Sequence, residues 1–139
     1  MGAVENKRVV EEAFAELANG KGRRFVEALA DDVRWTIIGD TAWSGTWTGL
    51  ASVQVELLEP LFAQFATTYR AELVRLIAEG DWVVIEFRGD VTTTANRPYR
   101  NTYCYVCRMD EGKVKEITEY CDTKLLTEAL APPVLGTAA

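Results

Sequence analysis

The residues of this sequence that are best suited to chemistry are carboxylates and an arginine on strand-like segments. Glu86, Arg88 and Asp90 share one face of such a segment, because side chains alternate along a strand. Asp122 ends another. An arginine between two carboxylates lowers their proton affinity, whereas a carboxyl in an apolar pocket tends to stay protonated. If neighbouring strands present these faces together, one carboxyl could act as acid and the other as base in one turnover.

Both features also have ordinary structural explanations, which the sequence leaves open. The charged face could be solvated, and Asp122 could cap the following helix through the amides of Lys124 or Leu125. A third segment carries a one-sided aromatic and polar stripe, formed by Tyr99, Asn101, Tyr103 and Tyr105. Such a stripe is typical of a core or a dimer interface, although phenols that face a cavity can donate hydrogen bonds to a ligand oxygen.

The sequence contains no His and three Cys. The absence of His excludes Ser-His-Asp catalysis, Cys-His catalysis and His-built metal sites. Cys104 and Cys107 have C-x-x-C spacing, but strand positions three apart face opposite sides. We therefore expect unpaired, buried Cys side chains, with no metal and no cofactor. Any acid–base chemistry must come from carboxylates, Tyr, Lys or Cys.

The helices that must position these residues follow from hydrophobic spacing. Apolar residues at helical intervals predict a helix over 4–19, which Gly20 ends. A shorter helix carries Phe25 and Leu29. A third is predicted over 50–65, where Pro60 removes an amide donor and predicts a kink.

The strands follow from alternating patterns and hairpin turns. They are predicted over 33–38, 69–78, 82–94, 99–109 and 113–122, and a short helix follows over 123–130. The segment 39–49 is rich in turn residues and carries Trp43 and Trp47, so we expect this loop to fold over an apolar surface.

Helices that precede a run of hairpin-linked strands argue for an α+β fold. We predict a cone-shaped fold, in which a strongly bent, mainly antiparallel sheet wraps around three N-terminal helices and a short C-terminal helix follows. Residues 1–131 are expected to form this single domain, and residues 132–139 a loose tail. The cone leaves an apolar cavity between helices and sheet. The other sheet face must also be covered, so we expect a homodimer.

Length and charge narrow the class of protein. A chain of 139 residues fits one domain with a core of its own. A net charge of −6 repels nucleic-acid phosphates and anionic lipid surfaces. No apolar run approaches the ~18 residues of a membrane span, and we find no signal-peptide pattern. We therefore expect no nucleic-acid partner, no membrane and a cytoplasmic location.

Several motifs resemble a known superfamily. They are A-D-D-V-R-W at 30–35, G-x-W-x-G at 45–49, and a Gly-Lys turn at 112–113 whose following strand ends in Tyr-x-Asp at 120–122. With them, the sequence from about residue 6 to 130 resembles the nuclear transport factor two-like superfamily. Within it, the sequence is similar to the SnoaL-like, limonene-epoxide-hydrolase-like and ketosteroid-isomerase-like proteins. This resemblance implies the cone-shaped fold and one SnoaL-like domain.

The resemblance also implies residue roles. The epoxide hydrolases of this group use an Arg-x-Asp on one strand and an Asp at the end of the last strand, which Arg88, Asp90 and Asp122 match. By that likeness, Asp122 takes a proton from water, Asp90 protonates the opening epoxide oxygen and Arg88 bridges the two. Trp35 and Ile37 stand where that group holds its water with a Tyr and an Asn.

We expect the substrate pocket to have largely aromatic walls. Its predicted lining consists of Trp35, Ile37, Trp43, Trp47, Tyr103 and Tyr120. The predicted function is cofactor-free carboxylate acid–base chemistry on a small, lipophilic, oxygen-bearing molecule, with epoxide hydrolysis first. An isomerase, polyketide cyclase or dehydratase of the same fold is an alternative. A further alternative is a non-catalytic small-molecule-binding or dimerisation module.

Overall fold

A computed structural model of the chain describes residues 2–135. Residue 1 and residues 136–139, which belong to the predicted domain and tail respectively, lie outside the described residues. The helices are α1 (Ala3–Leu17), α2 (Arg23–Glu27), α3 (Leu50–Ser52), a π-helical turn (Val53–Leu58), α4 (Glu59–Phe62) and α5 (Thr123–Ala129). The predicted α+β class is confirmed, because the helices lie against a single curled sheet.

The sheet has seven strands. They are β1 (Leu29–Ile37), β2 (Gly45–Thr48), β3 (Arg70–Glu79), β4 (Trp82–Thr92), β5 (Pro98–Tyr99), β6 (Thr102–Asp110) and β7 (Lys113–Cys121). Their order is β2-β1-β7-β6-β4-β3, and β5 pairs with β4. Only the contact between β1 and β7 is parallel among these pairings, so the predicted mainly antiparallel sheet is confirmed.

Strand alternation decides which residues enter the core. On β4, Val83, Ile85 and Phe87 are buried and face the helices. Phe87 packs against Phe14 of α1, with ring centroids 4.8 Å apart, and stacks on Tyr103 of β6 at the same separation. The concave side of the sheet is therefore an aromatic layer closed by the helices.

The loop predicted over 39–49 contains a strand. Residues 45–48 form β2, which pairs with β1 and places Trp47 opposite Trp35. The glycines and Trp43 mark the turn that leads into this hairpin. A short strand of this kind is stabilised by pairing with its neighbour and has no clear alternating pattern of its own. It is therefore difficult to predict from a turn-rich sequence.

The third helix is continuous but not uniform. It ends at Phe62, three residues before the predicted boundary, and its middle is a π-helical turn. The amide of Glu59 donates to the carbonyl of Gln54, five residues back, directly before Pro60. A proline ring clashes with the carbonyl four residues earlier in a regular α-helix, and the wider turn accommodates it. At Pro60, where the sequence predicts a kink, the structure has a π-helical turn directly before the proline.

The structure also bears on the predictions about cysteine pairing, metal binding and membrane-spanning helices. Cys104, Cys107 and Cys121 are free thiols in the structure. Between residues 2 and 135 there is no group of three His, Cys, Asp or Glu side chains that could hold a metal ion. Within the same range, no helix has both the length and the apolar character needed to cross a membrane.

Candidate active site

A cavity of about 190 Å³ lies between the concave face of the sheet and the helices. Apolar and aromatic side chains form most of its wall. Helices contribute Phe14, Leu17, Phe25, Leu57, Phe62 and Leu126, and Leu130 follows the last helix. Strands contribute Trp35, Ile37, Phe87, Tyr99, Tyr103, Tyr105 and the carboxylic acid Glu119. The predicted apolar pocket therefore exists, and a lipophilic ligand fits its chemistry.

Glu119 is the one carboxyl among the described residues that line this cavity. It lies on β7 and is only 5% exposed. The indole Nε1 of Trp35 donates a hydrogen bond to Glu119 Oε1 at 3.1 Å, and the phenol of Tyr105 lies close enough to stabilise the same carboxylate. A buried acid with a fixed indole donor and an open cavity beside it is the arrangement expected of a functional carboxyl.

Burial raises the pKa of Glu119 from its ordinary value of 4.5 to about 7. The cause is desolvation, because the charged form loses water when it enters an apolar cavity. The hydrogen bonds from Tyr105 and Trp35 oppose this shift, since they stabilise the carboxylate. Glu119 can therefore both accept and return a proton near neutral pH.

Strand register explains how these three residues meet. Tyr105 on β6 is directly opposite Glu119 on β7. On the other side of β7, the parallel strand β1 places Ile37 beside Glu119 and Trp35 beside Ile117. Trp35 thus reaches Glu119 diagonally from the neighbouring strand, on the same concave face.

A cluster of phenols lines another part of the cavity. Tyr103 Oη donates to Tyr99 Oη at 3.2 Å, and the phenol of Tyr69 lies beside that of Tyr103. Asn101 Nδ2 also donates to Tyr99 Oη, at 3.0 Å. Because Tyr99 accepts two hydrogen bonds, its own hydroxyl proton is available to a further acceptor.

Burial keeps these phenols protonated. It raises the pKa of Tyr99 to about 12, and it raises the pKa values of Tyr69 and Tyr103 as well. Protonated phenols donate hydrogen bonds to a carbonyl, enolate or epoxide oxygen. No Lys or Arg is among the described residues that line the cavity, so the site is suited to an uncharged ligand.

The structure does not bring the predicted catalytic residues into this cavity. Arg88 and Asp90 lie on the convex face of β4 and are exposed. The carboxylate of Asp90 pairs with the guanidinium of Arg100 on the surface, with a distance of 3.1 Å between Oδ1 and Nε. The catalytic roles expected for Arg88 and Asp90 are therefore corrected, because the charged residues of β4 take the solvated face and Phe87 takes the inner one.

Asp122 also lies outside the cavity lining. Its Oδ1 accepts hydrogen bonds from the amides of Lys124 and Leu125, both at 3.1 Å, and so caps α5. The amide and carbonyl of Asp122 are both held by the buried side chain of Asn101. The acid–base pair predicted for Asp90 and Asp122 therefore has no shared cavity.

Four of the six predicted wall residues line the cavity. These are Trp35, Ile37, Trp43 and Tyr103. Trp47 is half-buried and packs against the core without lining the cavity. Tyr120 is 46% exposed on the convex face of β7, because it alternates with Glu119.

Sequence reasoning missed Glu119, although a signal was present. On β7, Ile117, Glu119 and Cys121 share the face opposite Thr118 and Tyr120. A glutamate that alternates with Ile117 on an apolar face is a candidate buried acid. The Tyr-x-Asp motif, which carries the predicted site residues of this strand, lies on its other face.

A family model described as the SnoaL-like domain matches residues 10–117. No curated protein matches the chain. Among solved structures, an NTF2-like protein from Burkholderia xenovorans LB400 is 24% identical, with 94% of this chain and 99% of that one covered and a TM-score of 0.71. A candidate SnoaL-like polyketide cyclase from Jannaschia sp. CCS1 is 15% identical, with 95% of each chain covered and a TM-score of 0.74. A candidate isomerase from Bacillus subtilis is 16% identical, with 98% of this chain and 100% of that one covered and a TM-score of 0.73.

Proposed function

Because this chain belongs to the SnoaL-like domain family, we propose that it is an enzyme that moves a proton on a small, neutral, lipophilic ketone. Glu119 serves as both general base and general acid. The reaction is an isomerisation or a ring closure through an enolate. The observation that carries this proposal is the buried Glu119 carboxyl, with a pKa of about 7, in a cavity with protonated phenols.

The proposed steps follow from these groups. The Glu119 carboxylate takes a proton from the carbon next to the carbonyl, and the electron pair of that C–H bond moves toward the carbonyl oxygen. A phenol such as Tyr99 donates a hydrogen bond to the developing oxyanion. Protonated Glu119 then returns its proton to another carbon, or to the oxygen formed when the enolate attacks a second carbonyl. The chemistry needs no cofactor.

The proposed reaction class is compatible with the activities named for two structural neighbours. One is a candidate polyketide cyclase and the other a candidate isomerase, and both activities are compatible with proton transfer at carbon. Their low identity shows the fold alone, so the support comes from the fit between those activities and the Glu119 site.

Epoxide hydrolysis is the second candidate. In this cavity, Glu119 would activate water and a phenol would protonate the epoxide oxygen, because Asp90 and Asp122 lie elsewhere. Proton transfer at carbon ranks first because it asks the phenol only to donate a hydrogen bond, whereas epoxide opening would require a phenol whose pKa is raised by burial to give up its proton. Diol formation from neutral epoxides that depends on Glu119, without proton exchange on ketones, would favour hydrolysis.

Deuterium exchange tests the first proposal without knowledge of the natural substrate. Neutral aryl ketones and 1,3-diketones are incubated with the protein in D2O, and loss of the α-proton signal is followed by NMR. We expect exchange whose rate rises with pH through about 7, because Glu119 must be ionised to accept the proton. The Glu119→Gln variant should lose roughly 100-fold or more of this rate.

Glu116→Gln is the matched control. Glu116 lies on the same strand but pairs with Arg108 on the surface, so its amide variant should exchange at the wild-type rate. Equal exchange by the wild type and Glu119→Gln would contradict the proposal. Tight ketone binding with no exchange above the buffer rate would favour the non-catalytic binding module.

We further propose that the protein acts as a cytoplasmic homodimer and binds neither nucleic acid nor membrane. The convex sheet face supports self-association, since Ile77 is 58% exposed there and Trp82 and Tyr120 are also exposed. The net charge of −6 disfavours polyanionic partners. The mass in solution tests the assembly, and a single-chain mass at high concentration would contradict it.

A further inference from the structure

We infer that Trp35 is a positioning residue for Glu119, which fixes one carboxylate oxygen and favours the ionised form that accepts a proton. This inference rests on the proposed function for its catalytic meaning. The hydrogen bond itself is a property of the resting protein. It can therefore be tested separately from turnover.

The geometry holds the indole in one place. Trp35 is 4% exposed and lies on β1, between β2 and β7. Its ring meets that of Tyr105 edge-on at 5.6 Å and that of Phe25 at 6.0 Å. With its ring fixed on both sides, the Nε1–H points at Glu119 Oε1. That bond holds one oxygen of a carboxyl that itself lines the cavity.

The chemistry of an indole suits this role. Its N–H only donates and does not titrate, so it offers the same hydrogen bond at every pH. A carboxylate gains more from such a donor than a neutral carboxyl does. Trp35 therefore opposes the effect of burial, and it brings the proton affinity of Glu119 into the range where proton uptake and return are balanced.

The other titratable groups around Glu119 are neutral near pH 7. They are Tyr69 ahead of β3, Tyr99 on β5, Tyr103 and Tyr105 on β6, and Cys121 on β7, and burial raises the pKa of each. The helices packed over the cavity contribute only apolar residues to its lining. A titration near neutral pH at this site therefore belongs to Glu119.

Two tryptophan variants form a matched pair. Trp35→Phe removes the donor to Glu119 and keeps an aromatic ring. Trp43→Phe alters a second buried, cavity-lining tryptophan, whose Nε1 donates instead to the carbonyl of Ala131 at 2.9 Å. Both variants lose an indole from the same cavity, and only the first loses a hydrogen bond to the carboxyl.

The measurement is the pH titration of the Glu119 side-chain carboxyl carbon by NMR, with Glu119→Gln used to assign the signal. We expect the midpoint to rise by roughly 1 pH unit in Trp35→Phe and to stay in place in Trp43→Phe. The midpoint of the deuterium-exchange profile should rise by the same amount. An unchanged midpoint in Trp35→Phe, or equal shifts in both variants, would overturn the inference.

The wild-type protein provides a second readout if Trp35→Phe does not fold. In the wild type, the chemical shift of the Trp35 indole N–H should change with pH with a midpoint near 7, and in Glu119→Gln it should not depend on pH. The chemical shift of the Trp43 indole N–H should not show this change in either protein. A Trp35 signal that does not respond in this range would refute the positioning role. If Trp35 passes both tests and no ketone exchanges, the positioning role stands and the proposed reaction falls.

Discussion

At the scale of single residues, the absence of a side chain at Gly89 leaves room for one phenol of the cavity. Gly89 is a buried, inward-facing position of β4 between Phe87 and Val91. A Cβ built on it would overlap the phenol of Tyr69, whose Cζ would lie 2.8 Å away. Tyr69 in turn lies beside Tyr103. The missing side chain is therefore the space that holds one member of the phenol cluster.

We predict that Gly89→Ala displaces Tyr69 and lowers the free energy of unfolding by roughly 1–3 kcal/mol, as overpacking typically does. Urea unfolding measures this change. In a Tyr69→Ala background the three nearest contacts of the added methyl are gone, so Gly89→Ala should cost far less there. Equal costs in the two backgrounds would show that the methyl clashes with something other than Tyr69.

At the scale of elements, the short helix α5 closes part of the cavity. Leu126 and Leu130 contribute to the lining from this helix and from the residue just after it. Asp122 caps its first turn, and Asn101 holds the main chain of Asp122 at both its amide and its carbonyl. The C-terminal end of β7 thus positions a cavity wall by hydrogen bonds outside the cavity.

We predict that Asp122→Ala lowers the free energy of unfolding by about 1 kcal/mol, because α5 loses its N-cap. Asp122→Asn should retain most of that stability, since Asn is nearly as good a cap. Both variants should keep Glu119-dependent exchange when folded. Loss of exchange in Asp122→Asn at wild-type stability would instead support the catalytic role that the family likeness implies for Asp122.

The elements also show what the sequence could and could not predict. Hydrophobic periodicity predicted α1, the four long antiparallel strands and α5, because each has a strong local pattern. Alternation grouped Arg88 with Asp90 and Glu119 with Ile117, but it cannot tell which face of a strand meets the helices. The face that turns inward depends on the free-energy cost of burying a charged group. For Glu119, a hydrogen bond from Trp35, which lies 84 positions away in the sequence, offsets part of this cost. No local pattern encodes such a partner.

At the scale of the whole molecule, the charge distribution separates two environments. The surface carries the net charge of −6 and exposed ion pairs such as that between Asp90 and Arg100. The cavity holds neutral groups and one carboxyl that titrates near pH 7. A neutral ligand enters such a cavity without the desolvation cost of a charge, so the fold as a whole favours uncharged substrates.

The buried carboxyl must also affect the stability of the whole fold. Below pH 4.5, Glu119 is protonated in both the folded and the unfolded chain, so it has no net effect. Between 4.5 and about 7, the unfolded chain releases this proton while the folded chain keeps it. The contribution of Glu119 to the free energy of unfolding therefore decreases as pH rises through this window, by about 3 kcal/mol in total, and is constant above it.

We predict that Glu119→Gln removes this dependence, because an amide does not titrate. Urea unfolding of wild type, Glu119→Gln and the surface control Glu116→Gln should be compared on the acid and alkaline sides of the window from pH 4.5 to about 7. Relative to wild type, Glu119→Gln should gain about 3 kcal/mol of stability across the window, and Glu116→Gln should gain little. Parallel curves for Glu119→Gln and wild type would mean that Glu119 ionises normally, and the site would then lose the property that makes it a base near neutral pH. If Glu119→Gln is more stable than the wild type but loses proton exchange, the wild-type protein gives up stability to keep an acid in an apolar cavity for chemistry.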